Sequence, residues 1–438
     1  MAKVLLIGNF RPSLTLARQL GKAGHVVVCG VDRPSPYLFA SRYVGECLLH
    51  ARIDERPDIA LEHIRAYLDD ECRDLDALIP VSESAVRLLS ANRGLVPSRV
   101  KLVLPSSSVV ETCTAKETMF DLCETIGVPV APRRLASDRD ALKAAVEAVG
   151  RPCIIKPVDS PALLFGGKAI IVDAETDLDR VAPAWPDEHD RLCVQRFVTG
   201  PRHNVVFAAE AGRVVGAVEF RAVRTDRVDE TGYSTVVRSV RPTPAIQAAS
   251  EVLLAQLDYT GIGMLQFMLD RDTGEASFLE LNPRLGGTSG AAEACGLPLC
   301  RLMLDLGLGL RATSRNDPWS YPVGRTVVWT RGDLAGLAAE WFRGALTPAE
   351  ALAWAAAALR DALNPRHLTF DPGDPGPTIL SFVHPALAKL GLGRDMFIGP
   401  RTRRALERAG SSPEVRRGLG APASRRAQLA RLAACEVG

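Results

Sequence analysis

The run Lys3-Val4-Leu5-Leu6-Ile7-Gly8 constrains this fold more than any other stretch. Every side chain from Val4 to Ile7 is apolar, so a strand formed there needs cover on both faces. Such strands belong to parallel sheets flanked by helices. The following residues supply the cover. Leu14, Ala17 and Leu20 recur at helical spacing between Pro12 and Lys22, and Gly24 closes the segment. His25–Val31 reads as a second strand ending at Asp32, Leu61–Asp70 as a helix and Ala77–Pro80 as a strand. Val100–Leu104 follows as another strand after a further helix. This alternation predicts a small doubly wound, Rossmann-like domain. Its first turn, Gly8-Asn9-Phe10-Arg11, lacks the Gly-x-Gly-x-x-Gly spacing that brings backbone amides to a pyrophosphate, which argues against a dinucleotide.

At 438 residues the chain exceeds one ordinary core, so two or three subdomains are expected. The turn-rich Pro105-Ser106-Ser107-Ser108 marks a boundary. Thr114-Ala115-Lys116-Glu117 has capping-box spacing and predicts a helix that runs to Ile126 and stops at Gly127, with Pro129 behind it. A helix over Asp140–Val149 follows. Strands are expected over Cys153–Ile155, Ala169–Val172, Leu192–Gln195, Asn204–Ala209 and Val214–Phe220, then a helix over Ile246–Leu257. This order is α+β rather than alternating. Further on, Arg325–Trp329 looks like a strand, Leu346–Leu363 like an alanine-rich helix, and Phe370–Pro377 like a link to a helical tail.

The most informative segment is a hairpin over Ile262–Asp270 and Glu275–Asn282. Alternation puts Leu265, Phe267, Leu269, Leu279 and Leu281 on a core face. Gln266, Glu280 and Asn282 share the other face. With Asp270 opposite Ala276, Gln266 lies opposite Glu280, and paired Cβ atoms sit about 5 Å apart. An oxygen-only set suits magnesium, which takes carboxylate, amide carbonyl, water and nucleotide phosphate. Arg284, just past Pro283, offers a bidentate fork to phosphate or carboxylate. A polar, solvated sheet face would show the same alternation. Lys156 sharpens the choice, because a cation ending the apolar run Cys153-Ile154-Ile155 is costly unless it meets an anion. Lys116 stands in the first turn of a helix, where the dipole disfavours a cation, although a solvated lysine fits there too. The loop Ser160–Lys168 holds Gly166-Gly167-Lys168, which can fold over phosphates but lacks Walker spacing and by itself reads equally as a flexible turn.

Composition narrows the rest. A net charge of +2 argues against a nucleic-acid partner, and the basic tail reads as a solvated helical face. Ten cysteines stand singly with no Cys-x-x-Cys pair, and seven histidines show no metal spacing. Ser82 and Ser84 lack a Gly-x-Ser-x-Gly elbow. No apolar run reaches the ~18 residues that span a bilayer. With no leader ahead of the first strand, the expected location is the cytoplasm.

Residues from about 113 to 310 resemble the ATP-grasp superfamily, and the stretch from Met1 resembles its carbamoyl-phosphate-synthetase-like and amino-acid-ligase branches. The motif Phe278-Leu279-Glu280-Leu281-Asn282-Pro283-Arg284, with Gln266-Phe267 upstream, carries the resemblance. It implies an N-terminal Rossmann-like pre-ATP-grasp domain over 1–110 and a two-subdomain ATP-grasp fold over 111–310, divided into 111–193 and 194–310. A mostly helical extension, beginning with a strand, would take 311–438. It implies that Gln266, Glu280 and Asn282 bind magnesium (or manganese) and ATP phosphates, and that Arg284 stabilises a phosphorylated intermediate. Lys156, Lys116 and the loop of Gly166, Gly167 and Lys168 would contact the nucleotide. Gln195 would face the adenine amine, with Arg196 and Val198 offering backbone groups. Glu83 and either Arg221 or Arg224 would line the substrate pocket. The sequence departs from the family's pattern at Gln195 and Arg196, where glutamate is common, and at Pro201-Arg202-His203-Asn204, where an acidic ribose residue is expected. The implied activity is ADP-forming ligation of a small carboxylate, an amino acid foremost, to an amine or other nucleophile through an acyl phosphate. A homodimer is compatible with it. Two other readings stay open: carboxyphosphate or carbamate chemistry, and an ATP-binding regulatory or scaffold protein on a degenerate core.

Overall fold

A computed structural model describes residues 1–8, 11–32, 36–158, 164, 169–173, 191–311 and 316–389. The first sheet comprises β1 (Lys3–Ile7), β2 (Val26–Val31), β3 (Val44–Leu49), β4 (Ala77–Pro80) and β5 (Lys101–Leu102), in the order β3-β2-β1-β4-β5. All its pairings are parallel. Val4, Leu5, Leu6 and Ile7 are fully buried, as an apolar run at the centre of a covered sheet must be. Strand β3 was not expected. Its Val-Gly-Glu-Cys-Leu-Leu mixes polarities because it lies at the sheet edge. The helix expected at Leu61–Asp70 instead opens at Arg56-Pro57, with proline in the first turn, and ends at Ala66. A wide turn over Tyr67–Glu71 continues it.

The second sheet is antiparallel, with β6 (Arg133–Ala136), β7 (Cys153–Pro157), β8 (Ile170–Val172) and β9 (Leu192–Arg196) in the order β6-β9-β7-β8. The third comprises β10 (Arg202–Glu210), β11 (Arg213–Thr225), β12 (Ser234–Ser239), β13 (Gly261–Leu269), β14 (Ala276–Asn282) and β15 (Thr326–Val328). Its order is β14-β13-β10-β11-β12-β15, again antiparallel. β6 and β12 escaped the sequence reading because Arg-Arg-Leu-Ala and Ser-Thr-Val-Val-Arg-Ser lack clear alternation.

One face of the third sheet, with Val205, Phe207, Leu265 and Phe267, packs on the helix Pro244–Gln256 through Ile246, Leu253 and Leu254. On the opposite face, Val206, Ala208, Phe220 and Met264 join a core that includes Leu299 and Met303 of the helix Leu299–Gly307 and Leu16 and Leu20 of the helix Arg11–Lys22. The parallel and antiparallel parts thus share one hydrophobic core. β15 pairs with β12, and the helices Thr330–Phe342, Pro348–Ala362 and Gly376–Lys389 follow. The described part of the extension beyond residue 310 is therefore stitched into the third sheet rather than appended to it.

The capping box expected at Thr114 does not form. Thr114 closes a separate helix, Ser107–Thr114, and its hydroxyl donates to Val110 O at 2.9 Å. Ala115 then stands at the N-cap of the helix Lys116–Thr125 without a side-chain bond. Ser106 caps the earlier helix, accepting from Val109 N at 3.4 Å.

Candidate active site

The hairpin brings Gln266 and Glu280 together by a different route from the one alternation suggests. Leu269, not Asp270, pairs with Ala276, and a bulge between Gln266 and Phe267 restores Gln266 opposite Glu280. The bulge also corrects the core face. Phe278 and Leu281 are buried there, whereas Leu279 is only half-buried. Asn282 Nδ2 donates to Glu280 Oε1 at 2.7 Å, so two of the three oxygen-bearing side chains touch.

Lys156 reaches toward this face from the second sheet. Its Nζ donates to Gln195 Oε1 at 2.7 Å, and Gln195 Nε2 donates to Ala131 O at 3.2 Å. Gln195 is therefore a buried brace between β7 and β9. Phe120 lies beneath the lysine, with Nζ 5.5 Å from the ring centroid, and Arg133 approaches the same ring at 5.0 Å. Burial lowers Lys156 to about 8; Cys193 and Glu280 oppose that shift, and Lys116 and Arg133 add to it.

Glu83, Lys116, Glu280, Asn282 and Arg284 line one pocket, together with Val86, Cys113 and Thr114. Arg284 Nη2 lies 3.5 Å from Glu83 Oε2, which joins the end of β14 to the first helical turn after β4. Glu83 also pairs with Arg87 at 3.4 Å. Gln266 meets this group through Glu280, and Gln195 holds Lys156, whose charge interacts with Glu280 and Lys116.

Other expected residues stand apart. Arg221 pairs across the strands with His203, and the register sets both on the sheet face away from Gln266, where His203 Nδ1 and Glu219 Oε1 are 2.6 Å apart. Arg224 is committed to Asp333 at 2.5 Å and Asp361 at 2.8 Å, so its fork already holds two carboxylates. Arg196 has its N–H bonded to Pro132 O at 2.8 Å, which leaves its carbonyl as the backbone group it can present. Val198 is buried. Gly166, Gly167 and Lys168 lie outside the described residues.

Two residues were missed. Asn204 pairs with Gln266 across β10 and β13, is 1% exposed, and its Oδ1 has no hydrogen-bond partner. A lone amide heading the apolar run Val205–Ala209 was the available signal. Arg202, on the same strand face, bonds Gly232 O at 2.6 Å and Ser234 Oγ at 3.0 Å; burial lowers its pKa and Glu280 opposes that shift.

This donor set fits a hard divalent cation. Glu280 supplies a carboxylate and Gln266 an amide oxygen, Asn282 is tied to Glu280, and Asn204 adds an unpartnered oxygen. Magnesium bound with nucleotide needs only one or two carboxylates besides phosphate. Among the described residues no cluster of three or more His, Cys, Asp or Glu offers a denser alternative.

A parallel-sheet domain shares a core with a large antiparallel sheet, and Lys156 of a smaller sheet interacts with Glu280 of the larger. Comparison with known proteins places it further. The profile of the carbamoyl-phosphate synthase L chain, ATP binding domain, matches residues 115–314. A formate-dependent phosphoribosylglycinamide formyltransferase of Mycolicibacterium gilvum is 32% identical over 302 residues, covering 64% of this chain and 69% of that protein. The chain spans only 21%, 22% and 34% of three longer curated relatives. Among solved structures, biotin carboxylase of Campylobacter jejuni superposes with a TM-score of 0.56 at 18% identity over 74% of each chain. The L-amino acid ligase from Bacillus licheniformis superposes with a TM-score of 0.55 at 16% identity, over 70% of this chain and 74% of that one. These two likenesses concern the fold. The chain belongs to the ATP-grasp superfamily.

Proposed function

We propose that this protein is an ADP-forming carboxylate–amine ligase. The observation that carries the reading is the convergence of Lys116, Glu280, Asn282, Arg284 and Glu83 on one pocket, with Gln266 paired to Glu280 and Lys156 close enough to feel the charge of Glu280 and Lys116. Gln266, Glu280 and Asn282 would hold magnesium, with manganese as the second candidate. When bound, that ion neutralises phosphate charge during transfer. Lys156 and Lys116 would hold phosphate oxygens of ATP, and Gln195, which fixes Lys156, would border the adenine together with the backbone of Arg196 and Val198. A carboxylate oxygen attacks the γ-phosphorus as the bond to the ADP oxygen breaks, giving an acyl phosphate. Arg284 would steady its oxygens. The amine nitrogen then attacks the acyl carbon, the bond to phosphate breaks, and the amine loses a proton to give the amide. Glu83 would border the entering substrate opposite Arg284.

The substrates we propose are a small carboxylate and an amine. Formate is named in one relative and an L-amino acid in one structural neighbour, which sets the first acids to test. Functionally we divide the chain at 110, 193 and 310, as the resemblance implies. Among the described residues no helix is long and apolar enough to cross a membrane; a cytoplasmic enzyme is our proposal.

The test is ADP release with ATP and magnesium against amino acids, formate and bicarbonate, each with and without an amine. Turnover should require one acid and fall by about two to three orders of magnitude in Glu280→Ala, the range seen when a preorganised electrostatic group is removed. Turnover on bicarbonate alone would move the reading to carboxyphosphate chemistry. Tight ATP binding with no turnover on any acid would favour a regulatory role.

A further inference from the structure

Arg11 is a charged side chain that the proposed reaction does not use. It opens the helix Arg11–Lys22 at the carboxyl end of β1. β1 and β4 flank the point where the sheet order reverses, the crevice at which open α/β sheets take ligands. A cation in the first turn opposes the helix dipole, and no acidic residue stands there to offset it. Nε and Nη1 of Arg11 are buried and have no hydrogen-bond partner. The guanidinium carbon lies 3.5 Å from the centroid of the Trp329 ring, so one face of the fork is covered by the indole. Asp226 acts on it through space, but Asp226 Oδ1 accepts from Tyr233 N at 2.7 Å.

A second observation comes from the loop that leaves β14. A Cβ at Gly287 would come within 2.6 Å of Arg11 Nη2. Gly287 does not adopt the positive φ that favours glycine, so what a side chain there would meet is the guanidinium end of Arg11, which it would push aside. The loop leaves room for the guanidinium three residues past Arg284. A planar fork with two desolvated, unpaired donors is complementary to a carboxylate or phosphate. The acid that is activated loses its negative charge in the reaction. A permanent cation instead suits an anion that keeps its charge throughout.

We propose that Arg11 is an anion-binding group that receives a nonreacting carboxylate or phosphate of a substrate lying between the first helix and the Gly286–Gly290 loop. The inference deepens the ligase reading and rests on it for the word substrate. Arg11 would then set specificity for acids or amines that carry a second, anionic group.

The test uses the full chain with a nonhydrolysable ATP analogue and magnesium in place, and follows tryptophan fluorescence, since Trp329 lies against the guanidinium. Inorganic phosphate and acetate are the probes, and the better ligand identifies the anion. The wild type should respond saturably. Arg11→Met should weaken that response by about tenfold or more, the size expected for losing a charge-assisted pair. Arg11→Lys should fall between the two, and nucleotide affinity should stay unchanged. If Arg11→Met does not fold, Gly287→Ala carries the test, because it displaces the guanidinium without removing the charge. Equal anion affinity in wild type and variants overturns the proposal, as does a wild type that responds to neither probe. ADP release separates the two ideas. Turnover with Arg11-independent anion binding sinks this inference alone, and Arg11-dependent binding with no turnover sinks the ligase reading alone.

Discussion

Burial pulls Lys156 down to about 8 from the usual lysine value of 10.5, while Gln195 holds its Nζ at 2.7 Å. Below about pH 8 both folded and unfolded chains carry the proton, and the cost of burying it is present in full. As pH rises from about 8 toward 10.5 the folded chain sheds the proton first, so this group's penalty on stability is relieved. Nucleotide binding should show the opposite trend, because phosphate needs the charged amine. We expect ATP affinity to fall above about pH 8, with proton uptake on binding that is visible as a buffer-dependent enthalpy in calorimetry. Lys156→Met should abolish that dependence, and a wild type with no proton uptake would remove Lys156 from the phosphate site. At this scale much of the candidate site was legible. Gln266, Glu280 and Asn282 showed themselves by alternation, and Lys156 by ending an apolar run. Arg221 and Arg224 did not, because an arginine on a strand looks the same whether it faces a ligand, a solvated sheet face or a buried aspartate.

Strand and helix identities followed period and punctuation, yet the register came from a feature with no local signature. The bulge that sets Gln266 opposite Glu280 also turns Leu279 out of the core and Phe278 into it. Both residues are apolar, so the sequence looks equally good either way. Phe278 is drawn inward by Phe120 and Phe267, at centroid distances of 6.2 and 5.8 Å. The helix junction at Thr114 carries a similar lesson. A capping box is a statement about spacing, and Ser106, Thr114 and Asp138 all have plausible positions. The structure uses Ser106 and Asp138, both of which accept from the backbone N–H three residues on. Ser106→Ala should therefore cost about 1 kcal/mol, the usual value of an N-cap. Thr114→Ala should stay within about 0.5 kcal/mol, the typical range for substitutions away from such features. Denaturant titration of both variants decides it, and the reverse ranking would restore the capping box.

The extension beyond residue 310 is tied to the third sheet by a buried charge cluster. Asp333 is 0% exposed, and its Oδ1 accepts from Arg224 Nε at 2.7 Å, from Thr235 Oγ1 at 2.9 Å and from Trp354 Nε1 at 3.1 Å. Arg224→Met would leave Asp333 buried without its cation, at a cost of about 3 kcal/mol. ADP release per folded molecule should be unchanged. A variant of normal stability with impaired turnover would return Arg224 to the substrate. Period, capping and the cost of an uncovered apolar strand act over a few residues, so the parallel sheet, the later antiparallel hairpin and the oxygen-bearing face could be read along the chain. What met across long separations came from the packed fold. Glu83 meets Arg284, Asn204 joins Gln266, β15 completes the third sheet, and Arg11 comes to rest between Trp329 and Gly287. Those contacts depend on how separate elements bury a shared core, and no local pattern of side chains records which distant backbone will lie opposite.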